Sequence, residues 1–242
     1  MKLTQAGHLL YTRAKPLLEA LEQTETELTL RQMQFKGPLR ICIPNEIGPV
    51  LLGSVVADFA CQHPDLEISC VTNLSGYESL RDDLDLAVIV SRGQMDDSDY
   101  IARHLVTIPC TIVAAPSVIQ RYGTPSRIQQ FEELPCITTV NALKGAPWQF
   151  VNKKGGFETI KVNGHYRVNS GEMAGRAAIS GVGFAILSKQ ACQPYIDDGR
   201  LIEIEFEQSA APLQLFALYS DRRYLPAKTR ALIDFMHQRL SH

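Results

Sequence analysis

The chain has 242 residues, 45% hydrophobic and 21% charged, with 24 Lys and Arg against 26 Asp and Glu. That length and balance suit a globular protein of two small lobes and argue against disorder. A net charge of −2, with no dense basic run, argues against a chain that grips DNA by itself.

The first segment reads as a helix with a seam. Leu10, Ala14, Leu17, Leu21, Thr24 and Leu28 follow a 4-3-4-3-4 spacing, a heptad pattern with Glu19, Glu22, Glu25 and Glu27 between. A helix with so narrow a stripe is marginal alone, so it pairs with a second copy or packs on its own domain. Self-association fits the narrow seam better. Pro16 is expected to kink or split this helix near Thr12. Lys36-Gly37-Pro38 then ends it, because Gly caps and Pro cannot continue.

Beyond that boundary strands and helices alternate. Residues 39–43 and 66–70 alternate as strands, Leu52, Val55, Val56 and Phe59 carry helical spacing, and a short helix is expected over 77–81. Residues 86–90 are a continuous apolar run, as in a strand buried on both faces. This β-α-β-α-β order implies a parallel sheet. One strand over 107–114 is expected next, then a helix over 117–122, a turn at 123–126 and a β-rich stretch over 136–140. Lys153-Lys154-Gly155-Gly156 reads as a hairpin turn, with strands at 159–162 and 165–168 beside it. A helix over 171–180 follows, then strands at 183–187, 201–204 and 213–219. A final helix starts at Pro226, a favoured first position.

The six cysteines (Cys42, Cys61, Cys70, Cys110, Cys136, Cys192) contain no C-x-x-C pair, so a zinc ribbon or thioredoxin-like motif is absent. They read as small buried apolar residues in a reducing compartment, or else as a redox pair. No apolar run reaches the ~18 residues a membrane span needs, and no signal peptide is visible, so a cytoplasmic protein is expected. The six His show no ligand spacing, and no P-loop, nucleophile elbow or complete dinucleotide glycine motif occurs. No catalytic residue, metal or cofactor is expected.

Several short motifs, in order, resemble the LysR-type transcriptional regulators. Leu3-Thr4-Gln5-Ala6-Gly7 is similar to the junction between that family's DNA-binding wing and its linker helix. Gly37-Pro38-Leu39-Arg40-Ile41 resembles the entry into the effector domain. Phe59 with Pro64, Asp85-Leu86-Ala87-Val88 and Val113-Ala114-Ala115-Pro116 fit the next segments. Ala178-Ile179-Ser180-Gly181-Val182-Gly183, Gly199-Arg200-Leu201 and Arg230-Ala231-Leu232-Ile233-Asp234-Phe235 fit the later ones. The resemblance spans nearly the whole chain. It implies an α/β, two-lobe fold like the type-2 periplasmic binding proteins, with an N-terminal linker and dimerisation helix. Residues 1–36 would be wing remnant and linker helix, 38–112 plus 212–242 lobe I, and 113–211 lobe II, with crossings near Val113 and Gln208 to Pro212. The family's helix-turn-helix lies upstream of the wing. DNA contact is therefore expected from the full-length protein's winged helix-turn-helix and not from this chain alone.

In such lobes ligands bind outside the carboxyl ends of strands. After the first strand come Pro44, Asn45, Glu46 and Ile47. Asn45 stands where the resemblance implies an effector-binding hydroxyl, and it equally suits a helix N-cap. Glu46 would favour an amine if it faced the cleft, or it is solvated. Thr72, Asn73 and Thr107 are further candidates on lobe I. Thr138, Thr139, Asn169, Ser170 and Phe184 are candidates on lobe II. Hydroxyls and amides with one aromatic suit a small polar organic effector. The family's cleft arginine would fall at Ser91. Arg92 is one position on, and in a strand that reverses the face. The expected function is effector sensing by a homodimer or tetramer. A solute-binding protein of a transport system, which shares the fold, is the alternative.

Overall fold

The structure, a computed structural model, describes residues 4, 11, 13–17, 35–45, 47–73, 84–92, 100–139, 148–220 and 225–240. Of the heptad positions only Ala14 and Leu17 fall among them. Both lie in the helical run 13–17, which includes Pro16, and Leu17 is 73% exposed. Leu10, Leu21, Leu28, Glu46 and the helix expected over 77–81 lie outside the described residues.

The first lobe is built on strands β1 (Gly37–Pro44), β2 (Leu66–Asn73), β3 (Leu86–Arg92), β4 (Tyr100–Ile108) and β12 (Leu213–Ser220). They form one sheet in the order β2-β1-β3-β12-β4. β1 runs parallel to β2 and β3, whereas β12 is antiparallel to both β3 and β4. The sheet is thus mixed, not purely parallel as the first crossovers suggested, because the chain returns through β12. Helices α1 (Ile47–Gln62) and α5 (Ala227–Leu240) pack with it. Leu39, Leu52, Phe59, Leu86, Leu105, Leu215, Leu232 and Met236 share one apolar cluster. Each such large side chain, fully buried, contributes roughly 1.5–3 kcal/mol of transfer free energy. Arg239 of α5 donates to Asp58 of α1 at 2.9 Å, and Arg103 of β4 pairs with Asp234 of α5. Both pairs are exposed, so they orient the helices more than they stabilise them.

The second lobe lies between β4 and β12. Strand β5 (Cys110–Ala114) is flanked by β10 (Ala185–Ser188) and β11 (Ile202–Ile204), both antiparallel to it. The single strand expected over 107–114 is therefore two strands in two sheets. Pro109 divides them: it has no N–H to give the ladder. The change of sheet falls at Pro109, where a crossing near Val113 was expected from sequence. Helix α2 (Pro116–Tyr122) and a 3-10 turn (Ile128–Glu132) lead to β6 (Ile137–Thr139).

The turn at 152–156 joins β7 (Gln149–Val151) to β8 (Phe157–Thr159). The Asn152 carboxamide oxygen accepts from the Lys154 and Gly156 N–H groups, an Asx turn that sets this hairpin. The partners expected from sequence, 159–162 with 165–168, do not pair. Instead β9 (Tyr166–Val168) lies parallel to β6.

Helices α3 (Gly171–Ile179) and α4 (Lys189–Asp197) complete the lobe. Its core has an aromatic part around Phe131, Trp148, Phe150 and Phe184, and an alanine-rich part around Ala174, Ala178 and Ala185. Gly183 sits where these meet. A Cβ there would lie 2.2 Å from the Pro135 carbonyl oxygen, which accepts the Phe184 N–H at 2.8 Å.

Candidate functional site

Strand direction places the site. β4 has the same direction as β1, β2 and β3, since each pairs antiparallel to β12 or parallel within the set. The carboxyl ends of all four therefore share one edge of the first sheet. Pro109 and the amino end of β12 stand at that edge as well. In the second lobe Ser188, the last residue of β10, pairs with Cys110, the first of β5. A parallel bridge between Cys136 and Phe184 sets β6 and β9 in the direction of β10. The carboxyl ends of β6, β9 and β10 thus point to the same passage. Both lobes aim their strand ends at the two crossings, the arrangement in which open α/β sheets bind ligands.

On lobe I this edge gathers six of the expected residues. Ile43 pairs with Thr72 and Pro44 with Asn73, and the Asn45 N–H donates to the Asn73 carbonyl at 3.2 Å. Asn45 is exposed in the turn before α1, and Ile47 is the first residue of that helix. Thr107 lies near the end of β4, with its hydroxyl 2.9 Å from Nε2 of His104.

On lobe II the expected residues divide. Asn169 is exposed directly after β9. The Ser170 hydroxyl caps α3 by accepting the Met173 N–H at 3.2 Å. Thr139 is half-buried at the end of β6. The Thr138 hydroxyl is buried without a hydrogen-bond partner among the described residues, and a Cβ on Gly164 would meet it at 2.7 Å. Thr138 therefore faces the 160–165 segment and not an open gap. Phe184 is 0% exposed and meets Phe131 edge-on at 5.4 Å. It belongs to the lobe II core, which corrects the expectation of an aromatic wall there.

Arg92, set aside in the sequence because it lies one position past Ser91, is a member of this region. It ends β3 opposite Leu213, and its Nη2 donates to the Cys110 sulfur at 3.5 Å. The group joins the end of β3, the start of β5 and the return strand, so it spans both crossings. Burial pushes the guanidinium below its ordinary value, and the Cys110 sulfur works the other way. Burial also raises the Cys110 thiol, against Arg92 and a backbone hydrogen bond from Leu213. A thiol held in its protonated form is a poor nucleophile. No pattern of spacing could have found this trio, whose members come from three separate segments.

The other cysteines divide by place. Cys42, Cys136 and Cys192 are buried, as expected of small apolar residues, and burial holds Cys192 up at about 12. Cys61 and Cys70 are exposed, against that expectation, and none of the six cysteines forms a disulfide. Among the described residues no cluster of His, Cys, Asp and Glu fits a metal ion, and no helix is long and apolar enough to cross a membrane.

Two lobes joined by a double crossing, with strand ends facing one another, define a protein of the periplasmic-binding type. Residues 32–241 match the LysR substrate binding domain, and the chain belongs to the LysR family as the regulatory region of such a transcriptional regulator. It is 27% identical over 231 residues to an uncharacterized HTH-type transcriptional regulator of Haemophilus influenzae, covering 95% of this chain and 78% of that protein. It is 25% identical over 243 residues to the HTH-type transcriptional regulator CrgA of Neisseria meningitidis, covering 100% and 80%. The solved structure of CrgA superposes with a TM-score of 0.67 at 25% identity, covering 100% and 81%. The full-length Vibrio cholerae virulence activator AphB shares the fold, with a TM-score of 0.67 at 22% identity, covering 99% and 81%. The family match decides for a regulator over the transport protein that shares the fold.

Proposed function

We propose that this chain senses a small polar organic molecule between its lobes, without transforming it, in a cytoplasmic homodimer or tetramer. The observation that carries this reading is the convergence of strand ends from both lobes on Pro109 and Leu213. Residues 37–108 and 212–240 form lobe I in this reading, and the chain between forms lobe II. Asn45, Thr72, Asn73 and Thr107 contact the effector from one side, and Thr139, Asn169 and Ser170 from the other. Pro44 and Ile47 shape the turn that presents Asn45. The exposed Leu17 supports a helical seam that a second copy covers. DNA binding then belongs to a winged helix-turn-helix in the full-length protein.

Effector binding shifts the balance between open and closed lobes only as far as its affinity differs between them, typically ~1–3 kcal/mol. A thermal-shift screen of amino acids, amines, organic acids and nucleotides tests this. A binder raises the melting temperature by mass action and is recovered unchanged. Asn45→Ala reduces that shift. A ligand consumed on incubation would point to an enzyme, and an undiminished shift in the variant removes Asn45 from the site. Light scattering after size exclusion should give the mass of a dimer or tetramer, and a monomer at micromolar concentration counts against the seam.

A further inference from the structure

We propose that Phe35 and His63 form an aromatic latch that fixes the start of the regulatory region to lobe I. The Phe35 ring stacks on the His63 ring with centroids 4.7 Å apart and planes 17° from parallel. His63 in turn lies 4.4 Å from Phe59, and Phe59 lies 5.5 Å from Phe235 of α5. A continuous run of rings thus leads from Phe35 into the lobe I core.

Two backbone ties reinforce it. The Gly37 N–H donates to the Asp65 carbonyl at 3.0 Å, and the Lys228 ammonium donates to the Pro38 carbonyl. Gly37 has φ +79°, a conformation that other residues rarely adopt, so the turn that brings Phe35 back over His63 requires glycine. The partners come from the end of α1, the turn before β2 and the start of α5. All belong to lobe I.

Phe35 is 37% exposed, so its ring is only partly covered and the stack on His63 adds to what burial supplies. The latch therefore ties Phe35 and Lys36 to lobe I. The latch does not rest on the regulator reading, and its test needs no effector.

The test compares Phe35→Ala, His63→Ala and His63→Phe in the whole chain. Two readouts apply: hydrogen exchange of the Gly37 amide, and the rate at which trypsin cuts the Lys36–Gly37 bond. Both follow the population of the opened state when reclosing is fast. Loss of an aromatic pair of ordinary strength is expected to raise both rates about 2- to 10-fold in Phe35→Ala and His63→Ala. His63→Phe, which keeps a ring against Phe35, should stay close to the parent chain. Unchanged rates in Phe35→Ala would overturn the latch. So would a His63→Phe variant as open as His63→Ala. Because His63 also touches Phe59, the melting temperature is measured for each variant. Should His63→Ala unfold, Phe35→Ala alone decides.

Discussion

Lobe I gathers five strands of seven to nine residues into one sheet over one largely aliphatic cluster. Lobe II has strands of three to five residues in several small sheets, over an aromatic cluster and an alanine-rich one. A long strand fixes its register by repeated side-chain alternation. A three-residue strand cannot, so its partner is set by turns and by what packs against it. Lobe II should accordingly depend more on a few large rings, and lobe I on many aliphatic contacts.

The largest expected effect tests that difference directly. Phe131 is fully buried and touches Trp148, Phe150, Phe184 and Phe206. Phe131→Ala is expected to cost about 3–5 kcal/mol, and Leu52→Ala in lobe I about 2–5 kcal/mol. Trp148 is the single tryptophan and lies in lobe II, so its fluorescence reports that lobe while far-ultraviolet dichroism reports both. Phe131→Ala should move the fluorescence midpoint in urea ahead of the dichroism midpoint. Leu52→Ala should spare the fluorescence. Coincident movement of both signals in both variants would mean one cooperative unit and would end the contrast.

Next comes Gly183→Ala. The added methyl meets the Pro135 carbonyl, which is backbone and must shift, so a loss of about 1–3 kcal/mol or more is expected. It should appear in the Trp148 signal first.

A smaller effect depends on pH. Glu203 of β11 accepts from Lys189 at 2.9 Å and from Thr111 at 2.8 Å. Burial works against its carboxylate, but these hydrogen bonds and the Lys189 charge outweigh burial and hold the carboxyl below its ordinary value. A lowered folded value stabilises above the unfolded pKa and is lost as pH falls through the folded one. Lys189→Met should therefore lower the melting temperature at about pH 7 and make little difference at about pH 3. An equal loss at both would show that the pair contributes packing and not charge.

The smallest effect compares one feature found in both lobes. Thr229 in lobe I and Thr138 in lobe II each bury a hydroxyl that has no hydrogen-bond partner among the described residues. Replacement by Val removes an unsatisfied polar atom, so Thr229→Val and Thr138→Val should be neutral or stabilising by up to about 1 kcal/mol in thermal melts. A clear loss in either variant would reveal a hydrogen bond made in solution.

Much of this was legible in sequence. The alternation of Leu39, Ile41 and Ile43, the helical spacing of Leu52 to Phe59 and the apolar run of β3 all express local period. Such signals act over a few residues, so the chain itself carries them. The turn residues Asn45 and Asn169 follow from where strands end.

Tertiary structure decided the rest. The antiparallel return through β12, the division of 107–114 between two lobes and the pairing of β9 with β6 join segments far apart in the chain. The burial of Phe184, the covering of Thr138 by Gly164 and the meeting of Arg92 with Cys110 depend on which segments pack together. Pairings of that kind are chosen by the whole core at once, and no single stretch of residues contains the information.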